Sequence, residues 1–132
     1  MIIKVTPDKE KVKSILNLIE GREKFVSTIQ TSEFSTIVAE NYYEIIKELI
    51  ISLLLLDGLK TTGDGAHKEM IEQLSKHNIF SDNEIALLDD LRVKRNKSSY
   101  EGKPIDKIYL ENKKADLNIV IDKLKNLIDK KL

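Results

Sequence analysis

The stretch Leu49–Leu56, LIISLLLL, is apolar on every side apart from Ser52, and it constrains the fold more than any other segment. Ahead of it, Val38, Tyr42, Ile45, Ile46 and Leu49 recur at three- and four-residue spacing, the mark of one buried helical stripe. A helix that starts amphipathic and becomes apolar all round has to be wrapped by other helices. The spacing therefore predicts a central helix from about Ser35 to Leu59, ended by Gly58 and the turn-forming run Thr61-Thr62-Gly63-Asp64-Gly65. The apolar run is far short of the ~20 residues that cross a bilayer, so it reads as core and not as a membrane span. It also offers more apolar surface than a small bundle is expected to cover alone. Exposed apolar patches mark interfaces, and the commonest closed oligomer is a two-fold dimer; the expectation is a symmetric homodimer.

The rest of the chain supplies the wrapping. Val12, Ile15, Leu16, Ile19, Val26 and Ile29 form the stripe of a first helix, with Thr6 as N-cap, Pro7 in the first turn, Gly21 as a place to bend and a break near Gln30–Phe34. A short third helix is expected from Gly65 to His77, capped by Asp64, with Met70, Ile71 and Leu74 inward. A fourth starts at the capping box Ser81-Asp82-Asn83-Glu84, flanked by the staple pair Phe80 and Ile85; Ile85, Leu88, Leu91 and Val93 face inward, and Gly102 and Pro104 stop it. A fifth runs from Asp106 to the end on Leu117, Val120, Ile121, Leu124, Leu127 and Ile128, with Lys130 and Lys131 at its negative end. No stretch reads as a strand. The fold class predicted is all-α, an antiparallel up-and-down bundle of about five helices, in a single domain over residues 1–132.

Composition narrows the function. A hydrophobic fraction of 41% with 33% charged residues suits a folded domain with a solvated surface. Formal net charge is zero, so no global field draws the chain to nucleic acid or membrane; a polyanion site has to be local. With no cysteine there is neither a disulfide nor a thiolate metal site, and the two histidines, His67 and His77, are too few to hold a metal alone. No cofactor is expected: P-loop, dinucleotide fingerprint and nucleophile elbow are all missing. The N-terminus lacks the apolar core of a signal peptide, and a cytoplasmic location without membrane attachment is expected. His67 reads as a surface or capping residue, His77 as a helix-end residue, Tyr42 and Tyr43 as packing groups, and Asp89, Asp90 and Glu111 as solvated charges.

One segment departs from pattern. Between Arg92 and Lys107 stand six basic residues (Arg92, Lys94, Arg95, Lys97, Lys103 and Lys107) against two acidic ones, Glu101 and Asp106. Acids at the start of this helix and bases at its end suit the macrodipole, which explains the charge without a ligand. Residue type adds more: Arg95 can fork onto a phosphate, Asn96 both donates and accepts, and Tyr100 offers a face on which a base can stack. On an unbroken helix Arg95 and Tyr100 diverge by about 140°. They converge only if the helix ends between them or if two subunits meet.

At this point the chain resembles the HEPN superfamily, small helical domains found beside minimal nucleotidyltransferases and as RNA-cutting modules. The resemblance covers most of the chain: a long first helix, Glu40-Asn41-Tyr42-Tyr43-Glu44-Ile45-Ile46-Lys47-Glu48-Leu49 opening the central helix, Gly65-Ala66-His67 at a short third helix, Leu91 to Gly102, and a long closing helix. The family motif is Arg, four to six residues, then His, commonly with Asn or Asp after the Arg. Arg95-Asn96 matches its first half, and Tyr100 stands in place of the His. No histidine lies between Lys97 and the C-terminus. The resemblance implies that any catalytic group would be Arg95, Asn96 and Tyr100, and that Arg92, Lys94, Arg95, Lys97 and Lys103 would contact nucleic acid. Active members resemble metal-independent ribonucleases in which His moves the proton of the attacking 2′-hydroxyl. Imidazole titrates near ~6.5 and phenol near ~10, so Tyr100 is a poor base at neutral pH. The expectation is a non-catalytic, homodimeric domain associated with RNA or nucleotides, or partnering a separate nucleotidyltransferase. The alternatives are an active ribonuclease of a toxin–antitoxin or defence system that uses Tyr100, and a purely structural dimerising bundle.

Overall fold

A computed structural model describes residues 1–132. The chain forms β1 (Ile2–Lys4), α1 (Lys9–Thr28), α2 (Ser35–Leu56), β2 (Leu59–Thr61), α3 (Ala66–Glu72), a 3₁₀ turn over Gln73–Lys76, α4 (Asp82–Glu101) and α5 (Lys107–Lys131). It is an all-α bundle, and no helix is long and apolar enough to cross a membrane.

α2 is the central helix. Val38, Ala39, Tyr42, Tyr43, Ile45, Ile46, Leu49, Ile50, Leu53 and Leu54 are all buried. They meet Val12, Ile19 and Val26 of α1, Leu88 and Leu91 of α4, and the α5 stripe Leu110, Leu117, Val120, Ile121, Leu124 and Ile128. Cross-links set the directions. Arg22 of α1 bonds Glu48 of α2, and Ser98 near the end of α4 bonds Glu40 near the start of α2. Lys123 of α5 bonds Glu84 at the start of α4. Ser35 opposite Ile105 and Asp57 opposite Lys131 show that α2 and α5 run alongside one another in the same sense. Sequential long helices thus alternate up and down. The expectation of excess apolar surface on Leu49–Leu56 is corrected here: the chain's own helices cover the run, and only Ile51, at 37%, is exposed.

Other corrections have local causes. Asp8, not Thr6, caps α1, because its carboxylate reaches the Lys11 N–H at 3.0 Å; Thr6 and Pro7 lie between β1 and the helix. α1 runs unbroken through Gly21. α2 ends at Leu56, so Gly58 and Leu59 lie beyond it. α3 is capped by Gly65 in the left-handed region (φ 75°), which leaves Asp64 outside, and it tightens into the 3₁₀ turn before His77. Two strands exist where none was expected: β1 and β2 pair antiparallel, Ile3 opposite Lys60. Three-residue strands are too short for an alternation to show in the sequence. The ladder is extended by Val5 N–H to Gly58 O at 2.9 Å and Thr62 N–H to Met1 O at 2.8 Å. It straps the N-terminus over the end of α2, and the Met1 ammonium reaches Glu69 of α3 at 2.9 Å.

The capping box of α4 forms as its residues dictate: Ser81 Oγ accepts from Glu84 N–H at 3.1 Å, and Glu84 Oε1 accepts from Ser81 N–H at 2.9 Å. Gly102, with φ 70°, ends α4 in the left-handed conformation that glycine adopts without a Cβ penalty.

Candidate functional site

α4 continues to Glu101, so the turn at Gly102 comes too late to bend Tyr100 back toward Arg95. Helical spacing then divides the basic segment between two faces. Arg92, Arg95 and Ser98, three apart, lie on one side; Lys94 and Lys97 lie on the other.

The first face packs on α2. Arg95 Nη2 donates to Glu44 Oε1 at 3.2 Å, and its guanidinium lies 5.4 Å from the Tyr43 ring centroid. Its Nη1 makes a long 3.5 Å bond to Asn96 Oδ1. The other Glu44 oxygen takes Lys47 Nζ at 2.7 Å. Arg92 is bonded along its own helix to Asp89 at 2.9 Å, which leaves the Asp89 side chain 39% exposed. His67 of α3 stands beyond Tyr43, ring centroids 6.3 Å apart. His67, expected as a surface or capping group, stands half-buried in the first turn of α3. Burial lowers its pKa, and the Lys47, Arg95 and Arg92 cations lower it further against the opposing Glu44, so the imidazole is neutral at neutral pH. Burial pushes the Tyr43 phenol up to about 12, although Arg95 and Arg92 pull the other way. Arg95 is therefore a clasp between α2 and α4, engaged by a carboxylate and an aromatic face inside the chain.

Tyr100 is 80% exposed on a different side of α4. Arg95 and Asn96 are adjacent and in contact, but Tyr100 does not join them within one chain. The convergence that a helix end would have allowed does not occur.

The second face forms a groove against the start of α5. Lys94, Lys97 and, past the turn, Lys103 line it with Val93, Pro104 and Tyr109, around a volume of about 240 Å³. Lys94 Nζ lies 4.6 Å over the Tyr109 ring. Lys94 and Lys97 have no carboxylate within ion-pair distance, and Lys103 has only Glu101 at 3.9 Å. Two acids temper the charge: Asp90 borders the groove, and Asp106 is occupied in capping the Ile108 N–H at 3.0 Å. The Tyr109 hydroxyl is buried beside Asp90; burial, and then its interaction with the Asp90 carboxylate, raise its pKa, so it stays a neutral donor. Of the five residues singled out for nucleic-acid contact, three share this groove, while Arg92 and Arg95 turn to the other face. Tyr109 was missed by the sequence reading. Its only signal there is position, since Gly102 and Pro104 fold the start of α5 back along the end of α4. No three His, Asp or Glu side chains stand close enough together to hold a metal ion.

No protein-family model matches the chain, and no curated protein is significantly similar to it.

Proposed function

We propose that the chain is a non-catalytic HEPN-like helical domain that associates with RNA or nucleotides through the Lys94–Lys97–Lys103 groove. It works as a homodimer, and the partner class implied by the resemblance is a separately encoded minimal nucleotidyltransferase. The observation that carries this reading is the groove itself: the Lys94 and Lys97 ammonium groups, held in no ion pair, gather with Lys103 beside the Tyr109 ring. Such a surface suits phosphates and bases at once. The commitment of Arg95 to Glu44 and the outward position of Tyr100 favour the non-catalytic form over a Tyr100-dependent ribonuclease.

The test is fluorescence anisotropy with a mixed-sequence single-stranded RNA at low salt. Replacing Lys94, Lys97 and Lys103 by Ala is expected to abolish binding, and each single replacement to flatten its salt dependence, as fewer counterions are released. Arg92→Ala is expected to leave binding in place. Tyr100→His is expected to leave the RNA uncut, because the new imidazole would stand in solvent away from Arg95. Wild-type protein that fails to bind at low salt removes RNA from the reading, and cleavage by either protein removes the word non-catalytic.

A further inference from the structure

A second concavity lies at the opposite end of the long helices from the lysine groove, and its lining is different in kind. Its floor and walls are Ile51, Leu54 and Leu55 of α2, Leu59 of β2, and Ala66 and Met70 of α3. The strap made by β1 and β2 creates it. Without that strap the C-terminal end of α2 would open to solvent here; with it, β2 stands off from α2 and leaves about 160 Å³ between them. Gly58 sets the stand-off: its φ is 73°, and a Cβ there would come within 3.0 Å of Val5 O.

The charged groups at this cavity are all of one sign. Lys11 of α1 and Lys60 of β2 border it, and neither has a carboxylate within ion-pair distance. His67 and Thr61 add polar atoms at the same border. No acidic residue lines it, whereas the other basic surface, the α4–α5 groove, carries Asp90 and Asp106. An apolar hole with an unopposed cationic rim is complementary to a molecule with an apolar body and an anionic head.

Size limits the body. An apolar cavity of about 150 Å³ is enough to admit benzene. We propose that this cavity binds a small monocarboxylate with an aliphatic or aromatic body of about six carbons, its chain against Leu54, Leu55 and Met70 and its carboxylate between Lys11 and Lys60. The site is separate from the α4–α5 groove, so it stands or falls independently of RNA binding.

The experiment is an NMR titration of the full chain with hexanoate, with hexanol as the uncharged probe of the same shape. Hexanoate is expected to shift the backbone amides of Thr61, Ala66 and His67 and to leave those of Lys97 and Lys103 unmoved. Hexanol is expected to bind roughly tenfold more weakly, the contribution of two exposed cations to one anion. Pentanoate is expected to bind about fourfold more weakly than hexanoate, for one methylene fewer in the cavity. The Lys11→Gln/Lys60→Gln double variant, which changes only exposed side chains, is expected to bring hexanoate down to the hexanol level. Ala66→Leu, with helicity checked by circular dichroism, is expected to fill the space and abolish both. Amides unmoved by millimolar hexanoate would overturn the proposal. So would equal binding of hexanoate and hexanol, or shifts that survive the cavity-filling variant.

Discussion

Ser52 is the one polar side chain that is fully buried, and its hydroxyl has no hydrogen-bond partner. A buried, unpaired hydroxyl costs free energy that a methyl group does not, and Ala is also the better helix former. Ser52→Ala is expected to raise stability by about 1 kcal/mol in urea denaturation; a loss would mean that the hydroxyl has a partner in solution. Glu84 is the contrary case, a polar residue with every need met. Burial alone would raise its pKa, but Lys123 and the Ser81 N–H and hydroxyl outweigh that and hold the carboxyl below the usual glutamate range. A carboxyl whose pKa is depressed on folding lends stability above its unfolded pKa and loses it as pH falls through the folded one. Glu84→Gln can still accept the capping hydrogen bond but cannot pair with Lys123. The variant is expected to be less stable than wild type at neutral pH and equal to it once acid has protonated Glu84. Denaturation curves at several pH values read this directly, and a gap that persists unchanged into acid would count against it.

The elements are joined by turns that only glycine can make, and two of them invite comparison. Gly102 at the end of α4 has φ 70° with open space where a Cβ would go, while Gly58 has φ 73° with Val5 O in the way. Gly102→Ala is expected to cost about 1–2 kcal/mol, the penalty of a left-handed alanine. Gly58→Ala is expected to cost more, because the obstructing atom is backbone and the Val5 N–H to Gly58 O bond holds it there. Equal losses by chemical denaturation would mean that the β1–β2 strap yields freely. The strap also explains why α2 ends earlier than expected: a chain that must leave α2 in time to pair Leu59–Thr61 with Ile2–Lys4 cannot continue its helix through Leu59.

For the molecule as a whole, the apolar run of α2 no longer calls for a partner, and the proposed dimer rests on other surface. The Arg22–Glu48 ion pair, 2.9 Å long, holds α1 beside α2. On the exposed flank of α1, Leu18 and Phe25 stand seven residues apart, 53% and 49% accessible. Two large apolar groups on one stripe, with charges around them, suit a two-fold contact between copies. Light scattering at micromolar concentration is expected to give twice the 15.1 kDa chain mass, and Leu18→Glu/Phe25→Glu is expected to halve it. A monomeric wild type would discard the dimer.

Helical periodicity and caps are local properties, so the bundle, the central place of α2, the Ser81–Glu84 box and the Gly102 stop were all legible in the order of residues. Each depends on neighbours within a turn or two. What the sequence could not carry is anything that needs two distant segments at once. The β1–β2 pairing joins residues some sixty positions apart. The covering of Leu49–Leu56 depends on how closely α1, α4 and α5 close around it. The candidate site was half legible for the same reason. A basic segment could be read along α4, but helix geometry sends its members to two faces, and only the packed neighbours decide what each face becomes. Glu44 and Tyr43 make Arg95 a clasp, while Tyr109 makes Lys94 and Lys97 part of a groove.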